Sequence, residues 1–140
     1  MDVEIRRLEP GDEEVVLALA PAESRPSREH AARLLASHST HYLVAFSGDE
    51  PVGFLLAYEL LRRHREPASL LLYEIGVTQE HRRRGVGRAL YTELRRLARE
   101  RGIGTGWVLT DEANPTAMRF YEALGGVRAR PDDVLYDFRF

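Results

Sequence analysis

The sequence predicts an α/β fold built on a mixed sheet, and three observations predict it. Strand-like and helix-like segments alternate in the order β-α-α-β-β-β-α-β-α-β, with room for one more strand. Residues 70–77 are apolar at both parities, as a central strand covered on both faces should be. At Gly85 the apolar period then changes from strand to helix through a short basic loop.

Each element has its own signal. Residues 3–8 alternate weakly and read as an edge strand. Gly11, Asp12, Glu13 and Glu14 open a short helix, where acids suit the positive end of the helix dipole, and Pro21 ends it. Ser27 caps a second helix over residues 28–37, with Ala31, Leu34 and Leu35 on one face. Residues 42–46, a turn at 48–51 and residues 52–60 form a hairpin, followed by an Arg-rich loop at 62–66. Val86, Leu90, Leu94, Leu97 and Ala98 make one helical stripe, which Gly102 closes. Residues 107–110 are a further strand, with Trp107 a core residue. Asn114 with Pro115 starts a helix whose apolar face is Ala117, Met118, Tyr121 and Leu124, and Gly125 and Gly126 stop it. Residues 134–138 are the last expected strand.

Composition bounds the function. A chain of 140 residues with 44% hydrophobic content is expected to form a single domain over 1–140. No apolar run is long enough to span a membrane, and the first residues lack a signal-peptide pattern, so a cytoplasmic chain is expected. Without cysteine there is no thiolate nucleophile and no zinc-thiolate site, and the five scattered histidines give no reason to expect a metal. Net charge −2 argues against nucleic acid as a partner. The charges are nevertheless segregated. All 20 cationic residues are Arg, eight of them between Arg82 and Arg101, while acids gather at Asp111, Glu112, Asp132, Asp133 and Asp137.

The basic loop reads as an anion site. Amide groups at a helix start, the helix dipole and glycines that let the backbone come close combine with Arg82, Arg83, Arg84 and Arg88 around Gly85, Val86 and Gly87. It lacks both the Lys-Ser/Thr ending of a nucleotide P-loop and the third glycine of a dinucleotide fingerprint, since position 90 is Leu. Alone, this segment reads equally well as a tight helix start with solvated arginines.

The pattern Arg82-x-x-Gly85-x-Gly87 after an apolar strand, followed by Asn114-x-x-Ala117-x-x-x-Tyr121-x-x-x-Gly125, resembles the GNAT (Gcn5-related N-acetyltransferase) superfamily over essentially the whole chain. The resemblance implies a mostly antiparallel sheet of six to seven strands with about four helices, its fourth and fifth strands splayed apart. It implies acetyl-coenzyme A as co-substrate. The thioester arm would lie along Ile75, Gly76 and Val77, with the pyrophosphate on amides of residues 83–88. Asn114 would bond the pantetheine, Ala117 would pack beside it, and Tyr121 would sit near the sulfur. Residues 72–77, 81–85 and 108–111 look most like the type I aminoglycoside 3-N-acetyltransferases, which carry acids at the positions of Glu74 and Asp111. Asn114 and a shorter preceding turn depart from that branch. Related enzymes are often homodimers, so a homodimer is expected.

Acetyl transfer to an amine needs a base for the ammonium, a donor for the oxyanion and an acid for the leaving thiolate. Glu74 is the expected base. It stands in phase with Leu70 and Leu72, where desolvation would raise its pKa; the alternative is an ion pair with an arginine. Tyr121 is the expected acid or, alternatively, a core aromatic. The Val77 amide is the expected oxyanion donor. Asp111, and after it Asp137, would join Glu74 in binding a small, polycationic amine, with Tyr73 and Tyr136 as further lining. An aminoglycoside acetyltransferase conferring antibiotic resistance is thus the leading reading. A GNAT enzyme for peptide N-termini is the first rival, weakened by Leu109 where those enzymes often carry glutamate. A non-catalytic acyl-coenzyme A module is the second.

Overall fold

The structure, a computed structural model, describes residues 2–140. It divides into two compact units, one ending at Leu109 and the other Thr110–Phe140.

In the first unit five strands lie side by side in chain order, β1 (Glu4–Arg7), β2 (Thr40–Ser47), β3 (Glu50–Leu60), β4 (Ser69–Val77) and β5 (Gly106–Val108). The first three pairings are antiparallel and β4–β5 is parallel. Parallel neighbours need a crossover, and α3 (Val86–Glu100) supplies it. Alternation along β2 and β3 sends residues to two cores. Leu43, Ala45, Leu55 and Ala57 meet Val86, Leu90 and Leu94 of α3, while Tyr42, Val44 and Leu56 meet α1 (Glu13–Leu19) and α2 (Arg28–Ala36). Each fully buried aliphatic side chain contributes about 1.5–3 kcal/mol, so the apolar stripe fixes α3 against the sheet.

The expected caps are in place. Ser27 Oγ accepts from His30 N at 3.1 Å. Helix α3 ends on Gly102 at φ +72°, with Ile103 N donating to Ala98 O and Gly102 N to Arg99 O, the paired bonds of a Schellman turn. At that end of the sheet Glu59 Oε2 lies 2.5 Å from both His41 Nε2 and Arg101 Nε, tying β2, β3 and the end of α3 together.

The second unit contains α4 (Pro115–Ala123). Asn114 caps it, Oδ1 accepting from Ala117 N at 3.0 Å, and Gly125 at φ +97° stops it. Arg128 pairs with Glu112 at 2.5 Å.

Three expectations are corrected. Residues 134–138 form no strand, so the sheet has five strands rather than six or seven. A β-pattern specifies a strand only where a partner supplies ladder bonds, and no strand occurs in the described residues of this unit. Strand β5 is shorter than residues 107–110, and Trp107 is half exposed rather than core.

Candidate active site

The basic loop follows β4 directly. Its backbone turns left-handed twice, at Arg83 (φ +61°) and at Gly85 (φ +84°). That conformation costs a non-glycine residue on the order of 1 kcal/mol, and alternating hands turn successive amides into an anion-binding concavity. Ala89 N makes the first helical bond of α3, to Gly85 O, so the Val86 and Gly87 amides stand ahead of the hydrogen-bonded helix. No side chain caps this end. The helix start also sits close on the sheet, because a Cβ at Gly53 would meet Val86 Cγ1 at 3.0 Å. Arg82, Arg83, Arg84 and Arg88 are exposed around it. Arg82 Nε donates to Val77 O at 3.0 Å and so joins the loop to the end of β4; His81 Nδ1 lies 2.9 Å from Thr78 Oγ1.

Strand β4 changes character halfway along. Its ladder with β5 pairs Leu70, Leu71 and Leu72 and stops, while the strand runs on to Val77. This is the expected parting of the fourth and fifth strands. On the other side, Thr78 N donates to Val52 O at 2.9 Å. The alternation of an antiparallel ladder then aims the backbone groups of Gly76 and Glu74 at β3, and those of Ile75 and Val77 away from it. Arg82 takes the Val77 carbonyl, which leaves the Val77 amide and both backbone groups of Ile75 on the side where the β5 ladder has ended. A cavity of about 220 Å³ lies at this end of the strand, walled by Leu19, Phe54, Gly76, Val77, Thr78 and Arg82. Gly76 belongs there for a steric reason, since a Cβ would stand 2.7 Å from the Phe54 ring.

The register between β3 and β4 slips by one residue, Leu56 opposing Glu74 and Ala57 opposing Leu72, which makes Tyr73 the extra residue of a β-bulge. The bulge reverses the parity. Leu70 and Leu72 face α3, but Glu74 shares the opposite face with its partner Leu56, so it is not in phase with them. Glu74 is also exposed, and burial is not what would fit it for taking a proton. It stands instead among tyrosines. Tyr58 and Tyr73 meet edge to face at 5.5 Å, burial chiefly and then the charge of Glu74 push the Tyr42 hydroxyl up to about 12, and burial, Tyr73 and Glu74 raise Tyr58. Among the described residues the Glu74 carboxylate has no hydrogen bond or ion pair. Neither the bulge nor the left-handed Arg83 was found from sequence, and the one visible sign was the polar pair Tyr73-Glu74 interrupting an apolar run.

In the second unit, Ala117 and Tyr121 lie one turn apart on α4, both half-buried, and burial raises the Tyr121 hydroxyl above its ordinary value. Capping engages Asn114 Oδ1 and leaves its NH2 group to donate. Asp111 and Asp137 are exposed.

The Acetyltransferase (GNAT) family profile matches residues 4–126, running through both units. The chain belongs to this family. It is 31% identical over 148 residues to the mycothiol acetyltransferase of Thermobispora bispora, a match covering 96% of this chain and 49% of that one. The chain thus spans about half the length of that curated relative, and less of the others it matches. Among solved structures it superposes on an aminoglycoside acetyltransferase, HMB0005, from an uncultured soil metagenomic sample, with TM-score 0.86 and 28% identity over 100% of this chain and 99% of that one. It also superposes on the ribosomal-protein-alanine N-acetyltransferase of Brucella melitensis biovar Abortus 2308, with TM-score 0.78 and 26% identity over 99% and 100%.

Proposed function

We propose that this GNAT chain moves the acetyl group of acetyl-coenzyme A to a primary amine of an aminoglycoside-like polyamine, as a cytoplasmic homodimer that protects its host from the antibiotic. The observation that carries this reading is the half-paired β4, with backbone groups of Ile75 and Val77 turned toward an open edge beside an uncapped, arginine-ringed helix start. Those features fit a pantetheine arm and a diphosphate. The Val86 and Gly87 amides, with Arg82, Arg83, Arg84 and Arg88, hold the phosphates; Ile75 and the Asn114 amide bond the arm, and Ala117 packs beside it. Acetyl-coenzyme A supplies an activated acyl thioester.

The chain's residues supply the rest. Glu74 takes a proton from the ammonium, directly or through a water, leaving the nitrogen lone pair free to attack. The Val77 amide donates to the oxyanion; as the intermediate collapses the C–S bond breaks, Tyr121 gives its proton to the departing thiolate, and the second proton of the attacking nitrogen is lost through solvent to reprotonate Tyr121. Tyr58 and Tyr73 offer ring faces to the cation while it waits. Asp111 and Asp137 hold further ammonium groups of a polycation. Similarity to an aminoglycoside acetyltransferase over the full chain supports the acceptor class. A second reading, a protein N-terminal alanine as acceptor, is favoured by the similarity to the Brucella enzyme.

Incubation with acetyl-coenzyme A and panels of aminoglycosides, small polyamines and Ala-starting peptides, followed by free-thiol release, separates the two. Turnover is expected with aminoglycosides, along with raised resistance when the gene is expressed in a susceptible bacterium. Turnover confined to peptides would establish the second reading instead, and binding of coenzyme A with no turnover on any amine would leave a non-catalytic module.

A further inference from the structure

The sheet face that carries Glu74 is apolar on both sides of it. Across β2, β3 and β4, Tyr42, Leu56 and Glu74 stand in one row and Val44, Phe54 and Gly76 in the next. A strand advances about 3.3 Å per residue, so the rows lie about 7 Å apart. Tyr58 and Tyr73 stand beside Glu74 in one direction along the strand. In the other direction Gly76 contributes no side chain, and the cavity of about 220 Å³ opens there against Phe54 and Leu19, the last residue of α1.

The lining of this cavity is wrong for a second ammonium. Among the described residues that wall it none is acidic. Leu19, Val52, Phe54 and Val77 present hydrocarbon, and Arg82, with its Nε on the Val77 carbonyl, adds a guanidinium charge to the wall. A cation placed there meets a like charge, and a polyol leaves hydroxyls unpaired against hydrocarbon. An apolar group gains instead. A cavity of about 150 Å³ lined by aliphatic and aromatic side chains is enough for a benzene ring, so this one admits a ring with a short tether. A tether of about two carbons reaches from an ammonium on the Glu74 carboxylate to a ring lodged beside Phe54.

We infer that the site takes a second class of acceptor, a monoamine tethered to an aryl group, with Glu74 holding the ammonium and the cavity at Leu19 and Phe54 holding the ring. The inference rests on the acetyl-transfer reading and adds an acceptor to it. The bonds exchanged are the same: the nitrogen joins the acetyl carbon and the C–S bond breaks. Of the three ammonium protons one stays on the amide, one leaves with the thiol and one passes to solvent. The discrimination is what differs, since each buried ring carbon favours the aryl amine and a polyol body finds no partner in the cavity.

The whole chain is assayed for thiol release from acetyl-coenzyme A with phenethylamine and with ethylamine, beside the aminoglycoside and peptide panels. Burial is worth about fourfold per methylene, so phenethylamine is expected to exceed ethylamine in kcat/KM by at least about thirtyfold. Leu19→Trp fills the cavity and should cut that ratio about tenfold, leaving ethylamine turnover and the KM for acetyl-coenzyme A in place. Leu19→Ala enlarges it and should shift preference from phenethylamine toward naphthylethylamine. Opposite shifts from one position cannot come from misfolding, which would lower every rate together. Equal turnover of phenethylamine and ethylamine beside an active aminoglycoside or peptide would overturn this inference and leave acetyl transfer standing. A preference that neither Leu19 variant moves would put the ring elsewhere and overturn it as well. Absence of thiol release with every amine would remove both readings.

Discussion

Two glutamates on neighbouring strands, Glu59 of β3 and Glu74 of β4, show how one sheet makes a fastening and a reactive group from the same side chain. Glu59 faces α3 with a side chain only 12% exposed, and one of its oxygens meets both His41 and Arg101 at 2.5 Å. Burial alone would push its carboxyl up, but the bonds from His41 and Arg101 outweigh that and hold it below the usual range. Glu74 lies on the opposite face, exposed among tyrosines, and among the described residues nothing engages it. The saturated carboxylate stabilises the fold, and the unengaged one can exchange a proton. Bond saturation separates them more clearly than burial does.

The comparison is tested first by exchanging consequences. Glu74→Gln is expected to lower kcat about 10²–10⁴-fold while leaving coenzyme A affinity and melting temperature in place, measured by thiol release, calorimetry and thermal denaturation. Near-normal turnover would remove Glu74 from the mechanism. Glu59→Gln should do the reverse. It keeps an accepting oxygen but removes the negative charge that His41 and Arg101 share, and since Arg101 is partly solvated the cost is about 2 kcal/mol, or roughly a 5–8 °C fall in Tm. Its kcat at 25 °C should match wild type; a variant that melts normally would mean the cluster fastens nothing.

Acid sharpens the same contrast. Burial lowers His41 below its ordinary 6.5, against the raising bond from Glu59 and with Arg7 and Arg101 adding to the fall. Both His41 and Glu59 thus titrate lower folded than unfolded, and each contributes stability that is complete at high pH and lost on acidification. The His41 share starts to go as pH drops below 6.5 and the Glu59 share below 4.5. Tm measured against pH should show both losses, and His41→Gln should flatten the upper one. A Tm that holds constant from pH 7 to 5 would contradict it.

How much of this was legible in the sequence follows from which forces act locally. The caps at Ser27 and Asn114, the stop at Gly102 and the stripe Val86–Leu90–Leu94 were readable because each is decided within a turn or two of chain. The parting of β4 from β5 came from the family resemblance, and the ladder that ends at Leu72 agrees with it. The face of Glu74 was misread because a bulge belongs to a pair of strands. Counting by twos along β4 cannot reveal the extra residue that β3 skips. Residues 134–138 were misassigned for a related reason, since their alternation is real but a ladder needs a second strand. The His41–Glu59–Arg101 cluster joins residues far apart in the chain and left no sequence signal at all.

The bulge leads to the smallest and most discriminating expectation. By placing Tyr73 next to Glu74 on one face, against Tyr58, it sets ring faces beside the only carboxylate of that strand. A partly exposed cation–π contact is worth about 0.5–1 kcal/mol, or roughly a two- to fivefold change in KM for an amine. Tyr73→Leu should raise the amine KM by about that factor and leave both kcat and the KM for acetyl-coenzyme A unchanged, because the contact holds the ammonium before its proton is lost. Tyr73→Phe keeps the ring and should restore the wild-type KM. If phenylalanine behaves like leucine, the hydroxyl rather than the ring face does the binding. If kcat falls instead, Tyr73 positions Glu74 for chemistry, and the division between a fastening carboxylate and a reactive one must extend to the residues that hold the reactive one in place.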